Sequence, residues 1–160
     1  EVLRECVDDL RLVIDSIEPV GHDLVSLLAT MRYRLGKRLQ AGGLKLEWDV
    51  QDLPPLPWLE PPDALHVLRL MQEALNNVLK HAQASRIDVR MGWAMDRMDL
   101  SIVDDGQGFS TANTRHGHYG LRNMHERAVK LGAELILDSA PGAGTRIHLS
   151  IPTSLERTSL

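Results

Sequence analysis

A chain of 160 residues with 43% hydrophobic side chains buries roughly two-thirds of the surface that its unfolded form exposes, so one independent core with an appendage is expected. The net charge of −4 comes without a dense Lys/Arg run, which excludes a nucleic-acid surface, since that needs clustered cations to release counterions. One cysteine, Cys6, excludes an intrachain disulfide and a zinc cluster and fits a reducing cytoplasm, and no apolar run approaches the roughly 20 residues that span a bilayer.

Leu3, Val7, Leu10, Ile14 and Ile17 alternate spacings of four and three. The pattern reads either as the seam of a helix packed on another helix or as an amphipathic helix on this domain's own core. Because the chain begins inside it, at Glu1-Val2-Leu3, it is expected to be a piece of a longer protein. Pro19 and Gly21 stop this helix. A second runs from about Asp23, with Leu24, Leu28, Met31, Leu35 and Leu39 on one stripe, and Gly42-Gly43 ends it. Leu44, Leu46, Trp48 and Val50 alternate with charged residues as in a strand with one buried face. Pro54, Pro55, Pro57, Pro61 and Pro62 then predict a loop.

The longest helical pattern runs from Asp63 to about Gln83, with Leu68, Met71, Leu75, Val78, Leu79 and Ala82 on one side and Glu73, Asn77, Lys80 and His81 on the other. Ile87 to Trp93 and Met98 to Ile102 alternate as an antiparallel hairpin. Gly106, Gly108, Gly117 and Gly120 make the stretch from Asp104 to Gly120 a mobile loop rather than a helix. Leu121, Met124, Ala128 and Leu131 mark a helix that Gly132 ends, and a final hairpin turns at Pro141-Gly142-Ala143-Gly144. This order predicts an α/β two-layer sandwich, with a mainly antiparallel sheet and helices on one face.

Four short constellations carry chemistry, and each has a plain alternative. Glu73, Asn77 and His81 fall at i, i+4 and i+8 with Lys80 beside them, which puts a carboxylate, a Mg²⁺-compatible amide oxygen, an imidazole and a phosphate-binding cation on one face. A solvated polar face would look the same. Asp104-Asp105-Gly106-Gln107-Gly108-Phe109 places a carboxylate at a strand end, where it can accept from the exocyclic amine of adenine while glycines admit the base; an Asp-Gly turn is the alternative. Gly117-His118-Tyr119-Gly120-Leu121 precedes a helix, whose N-terminus suits phosphates, or is a flexible connection. Gly142-Ala143-Gly144-Thr145 brings a hydroxyl to a strand start, or is a tight turn.

Taken in order, these segments resemble one family. Gln72 to Ala82 (QEALNNVLKHA) is similar to the N box of sensor histidine kinases of the nitrate-sensor and desaturase-sensor class. Asp104 to Phe109 resembles the G1 box, Gly117 to Leu121 with Met124, Glu126 and Arg127 the G2 region, and Gly144-Thr145 the closing strand. The resemblance covers about residues 20 to 152. It implies the Bergerat-type ATP-binding sandwich that these kinases share with gyrase, the Hsp90 chaperones and MutL.

The same resemblance implies ATP and Mg²⁺ as ligands. Asn77 would hold the metal, Asp104 would read adenine, and Lys80 and His81 would lie near the phosphates. Gly106, Gly108, Gly117 and Gly120 would frame the lid, with His118, Leu121 and Thr145 also at the nucleotide. Glu73 occupies the position that activates water in the related ATPases. The implied division is residues 1–19 as the end of a dimerisation helix, 20–153 as the ATP-binding catalytic domain and 154–160 as a tail. His22-Asp23 superficially matches a phosphoacceptor site but lacks its basic lead-in, so the acceptor histidine is expected on a separate dimerisation domain, with a response regulator downstream. The expected species is a cytoplasmic monomer, cut from a parent that is compatible with membrane anchoring. A stand-alone ATPase and a non-catalytic ATP-binding module are the rival readings.

Overall fold

The computed structural model describes residues 24–50, 59–94, 96–111 and 119–153. The expectations that rest on residues 1–23 and 154–160, including the dimerisation helix and the tail, lie outside these residues. The elements in chain order are α1 (Leu24–Ala41), β1 (Lys45–Val50), α2 (Pro61–Asn77) running into a π turn (Val78–Ala82), β2 (Arg86–Ala94), β3 (Arg97–Asp104), α3 (Tyr119–Lys130), β4 (Glu134–Ser139) and β5 (Thr145–Pro152). Among the described residues no helix is long and apolar enough to cross a membrane.

The five strands form one sheet in the order β1-β2-β3-β5-β4. Only the β1–β2 pair is parallel, and the other three are antiparallel. Period-two alternation puts Val89, Ile102, Ile147 and Leu137 in one row across the inner face, and Met91, Leu100, Leu149 and Leu135 in the next. The stripe of α1 (Leu24, Leu28, Met31, Leu35, Leu39) and that of α2 (Val67, Leu68, Met71, Leu75) complete the same core. The opposite face carries the exposed Arg86, Arg90, Ile136, Asp138 and Arg146. The result is the expected two-layer sandwich.

Helix α1 ends where Leu44 N–H bonds to Leu39 C=O and Gly43 N–H to Gln40 C=O, both at 3.0 Å. Helix α3 ends the same way, through Ala133 to Ala128 at 2.9 Å and Gly132 to Val129 at 3.0 Å. Such closures satisfy carbonyls that a helix end leaves orphaned.

Three boundaries differ from expectation: α3 begins at Tyr119, so Gly120, expected in the loop, is helical, and both ends of α2 are displaced. Helix α2 begins at Pro61 rather than Asp63, with Glu60 as its N-cap; a proline in the first turn lacks only an N–H that would be orphaned there anyway. The helix also leaves α geometry at Asn77, and Val78–Ala82 form a π turn that closes on Gln83 at φ 51°. Such turns are frequent at functional sites.

Leu75 is fully buried between α2 and the sheet, so Leu75→Ala is expected to lower unfolding free energy by about 2–5 kcal/mol in a denaturant titration. Ile136→Ser, on the open face at 52% exposure, is expected to stay within about 0.5 kcal/mol of wild type.

Candidate active site

A third inner-face row runs Ile87, Asp104, Thr145, Ser139. Here the apolar face gives way to polar groups, and a cavity of about 630 Å³ opens beside α2, within the usual range for small-molecule sites. Ile102, Leu137 and Ile147, from the row that begins at Val89, form its apolar floor.

Asp104 is 5% exposed. Burial pushes its carboxyl above the usual aspartate range, and the backbone N–H groups of Gly106 and Thr145 oppose that rise by bonding the charged form. The Gly106 bond is 2.8 Å to Oδ1. The neighbouring Asp105 does something different. Its carboxylate accepts from Ser85 Oγ at 2.6 Å and from the N–H groups of Ser85 and Arg86 at 2.8 and 2.9 Å, and these donors hold it below the usual range. Asp105 ties the loop to the start of β2, which leaves Asp104 as the one of the two aspartates that lines the cavity.

Three backbone segments meet around Asp104. Gln107 N–H bonds to Ala82 C=O at 2.7 Å, and its side-chain amide donates to His81 C=O at 2.6 Å. On the other side Gly142 N–H donates to Gln107 C=O at 2.6 Å. A Cβ on Gly106 would collide with the Ala82 carbonyl and crowd Asp104 Oδ1, while Gly108 sits at φ 59° against the Ala140 and Gly144 carbonyls. Only glycine lets these chains approach so closely.

From α2, Glu73 and Asn77 enter the cavity half-buried, and Lys80 and His81 line it from the π turn with exposed side chains. The expected polar face is therefore not simply opposite the core, because Ala74 and Val78 line the same cavity. From α3, Tyr119, Gly120 and Leu121 also line the cavity. A Cβ on Gly120 would collide with Glu73 Oε1, so the start of α3 lies directly on that carboxylate.

The cavity thus gathers Glu73, Asn77, Lys80, His81, Asp104, Gly108, Gly120, Leu121 and Thr145. Gly106 stands behind Asp104 rather than in the lining. Gly117 and His118 lie outside the described residues. Sequence reasoning missed Ser139, which accepts from Phe109 N–H at 3.0 Å and donates to Gly144 C=O at 2.9 Å. The only sequence signal for it was its place in the hairpin, opposite Thr145. Among the described residues no group of three or more His, Cys, Asp and Glu converges. Half-buried Asn77 and Glu73 bring side-chain oxygens to the cavity, and Mg²⁺ is commonly held by one or two protein oxygens together with substrate phosphates.

The family model of "Histidine kinase-, DNA gyrase B-, and HSP90-like ATPase" matches residues 62–155, which contain α2, the glycine turns and the closing hairpin. The chain belongs to this family. Among relatives in this ATPase family, it is similar to the sensor histidine kinase LiaS of Bacillus subtilis, with 30% identity over 148 residues, 92% of this chain and 40% of LiaS. It is also similar to the sensor protein VraS of Staphylococcus saprophyticus, with 36% identity over 159 residues, 97% of this chain and 45% of VraS. The chain therefore spans less than half the length of these relatives. The histidine kinase domain from the Erythrobacter litoralis EL346 blue-light activated histidine kinase shares the fold, with a TM-score of 0.77 over 96% of this chain and 75% of that one, at 21% identity.

The raised Asp104 carboxyl has a stability consequence with a definite sign. A folded-state pKa above the unfolded value means that the native state binds the extra proton, so stability falls as pH rises through the folded value. The difference in melting temperature between wild type and Asp104→Asn is therefore expected to shift in favour of wild type on acidification from neutral pH to just above the usual aspartate range. A difference independent of pH would mean that Asp104 is not buried as described.

Proposed function

We propose that this chain binds Mg-ATP and donates its γ-phosphoryl group to a histidine on a separate dimerisation domain, as the catalytic domain of a two-component sensor kinase. The observation that carries the reading is a cavity lined both by Asp104 and Thr145 from the sheet and by Asn77, Lys80 and His81 from α2 and its π turn. Names of relatives such as "Sensor histidine kinase LiaS" support the same reading. The division proposed for the chain is residues 1–19 from a dimerisation helix, 20–153 as the ATP-binding unit and 154–160 as a tail, in a cytoplasmic part of a kinase of the nitrate-sensor and desaturase-sensor class.

The Asp104 carboxylate accepts from the exocyclic amine of adenine over the floor of Ile102, Leu137 and Ile147. Two facing acceptors disfavour a 6-oxo purine there, and sites built on such a bond can discriminate by about 10⁴ or more. Lys80, a point charge, and His81 attract the phosphates, together with the start of α3. The amide oxygen of Asn77 would hold Mg²⁺, which supplies charge neutralisation at the phosphates without the protein spending a carboxylate on it. Glu73, which lies against Gly120, would orient the incoming nucleophile. In the transfer itself, an imidazole nitrogen of the acceptor bonds to the γ-phosphorus as the bond to the bridging β–γ oxygen breaks; ADP leaves and the imidazole loses its N–H proton. Placement and electrostatics dominate such a reaction.

Calorimetry with ATP and Mg²⁺ tests the assignment. Asn77→Ala and Asp104→Ala are each expected to weaken binding by at least about tenfold, the equivalent of about 1.4 kcal/mol; unchanged affinity in both would refute the site. Without an acceptor domain the chain is expected to hydrolyse ATP slowly. A kcat above about 1 s⁻¹, ordinary for a dedicated ATPase, would favour that rival instead.

A further inference from the structure

Helix α3 packs along the face of α2 that carries His66, Arg69, Glu73 and Asn77. Toward one end of the seam the backbone of Gly120 rests on the Glu73 carboxylate. Toward the other, Arg127 Nη1 lies 3.4 Å from His66 Nδ1, with both side chains half-buried. Arginine carries only donors, so Arg127 can donate here only while Nδ1 keeps its lone pair. That requires a neutral His66 with its proton on Nε2. An imidazolium would set two cations face to face.

The charges around the imidazole lean the same way. Arg127 and Lys130 face it from α3, and Asp63 and Arg69 from α2, one carboxylate against three cations. His66 is held below the ordinary imidazole range by burial first, then by Arg127 and Lys130, with Asp63 opposing and Arg69 adding to the fall. Arg127 is itself disfavoured as a cation by burial and by Arg69, which Glu73 and Glu126 offset. The first turn of the same helix, Tyr119, Gly120 and Leu121, lines the cavity. How Arg127 is held therefore reaches the site through one continuous helix.

We infer that His66 is a positioning residue for the nucleotide cavity: its neutral imidazole seats α3 through Arg127, and its protonation unseats the helix and weakens nucleotide binding. The inference rests on the reading of the cavity as an adenine-nucleotide site and adds the proton as a regulator of it.

Calorimetry with Mg-ATP at pH about 7.5 and about 5.5, either side of the ordinary imidazole value, on wild type, His66→Gln and His66→Lys tests it, with melting curves to confirm folding. His66→Gln keeps an acceptor for Arg127 without a titrating charge. It is expected to match wild type at the higher pH and to bind at least about threefold more tightly than wild type at the lower one. His66→Lys sets a permanent cation against Arg127 and is expected to bind about tenfold more weakly than wild type at the higher pH. A second readout needs no substitution. Because linkage is reciprocal, ATP is expected to lower the His66 pKa, followed by NMR of the imidazole, by the equivalent of at least about threefold in proton affinity. Attraction to the phosphates alone would raise it. Parallel pH profiles in wild type and His66→Gln, wild-type affinity in His66→Lys, or a His66 pKa that ATP leaves unchanged or raises, overturns the inference and leaves the ATP site standing. Failure of wild type to bind ATP at either pH overturns both.

Discussion

Asp104 lies in line with Ile102 and Leu100 on the face of β3 that builds the core, where an unsupported carboxylate would be strongly unfavourable. It is tolerated because β3 ends there, so that the next residues can fold back and present N–H groups to it, and because register brings Thr145 alongside. What remains of its acceptor capacity points to the cavity. The apolar rows that stabilise the sandwich thus continue into the floor of the site, and the same alternation that buries Ile147 delivers Thr145 to the carboxylate.

That arrangement holds only if three chain segments can crowd together. The end of α2, the loop after β3 and the turn before β5 are tied by Gln107 to Ala82 and by Gly142 to Gln107. Any side chain at Gly106 or Gly144 would meet a neighbouring carbonyl, from Ala82 or from Asp104. The π turn contributes by widening the helix as it reaches this junction. It brings the Ala82 carbonyl to Gln107 N–H while Lys80 and His81 line the cavity. Local geometry at the helix end and the position of the Lys80 and His81 side chains are therefore one structural feature.

The helix stripes and strand alternations were legible because burial on one face imposes a period that residue spacing shows. Leu24 to Leu39 and Ile87 to Met91 appear in the core as their spacing predicts. Asn77, Asp104 and Thr145 were legible as candidates through motif spacing, and the fold brings them to one cavity. Less visible were features set by register and by backbone geometry. Nothing in the spacing of Val78 to Ala82 distinguishes a π turn from a continued α-helix, and nothing in a lone parallel pair announces that β1 runs alongside β2. Asp104 and Asp105 are chemically identical in the sequence. Only their alternation across the sheet end sends one to the cavity and the other to Ser85. Ser139 escaped notice for the same reason, since its partners lie five, six and thirty residues away.

The two sides of the cavity differ physically in a way that matters for the proposed transfer. The Asp104 side is built from a paired sheet, with buried groups and fixed hydrogen bonds, and a rigid environment of that kind suits selection among bases. The helical side of the cavity is built from α2 and its π turn, with exposed Lys80 and His81, half-buried Glu73 and Asn77, and the first turn of α3. A donor of phosphoryl groups has to present the γ-phosphate to an acceptor that arrives from elsewhere, and an open terminus permits that approach. Helix α3 rests on Glu73 through Gly120, and the charge of Glu73 is also felt by Arg127 two turns further along. A displacement of α3 would therefore alter the surroundings of Glu73 on the helical side while leaving the paired strands around Asp104 undisturbed.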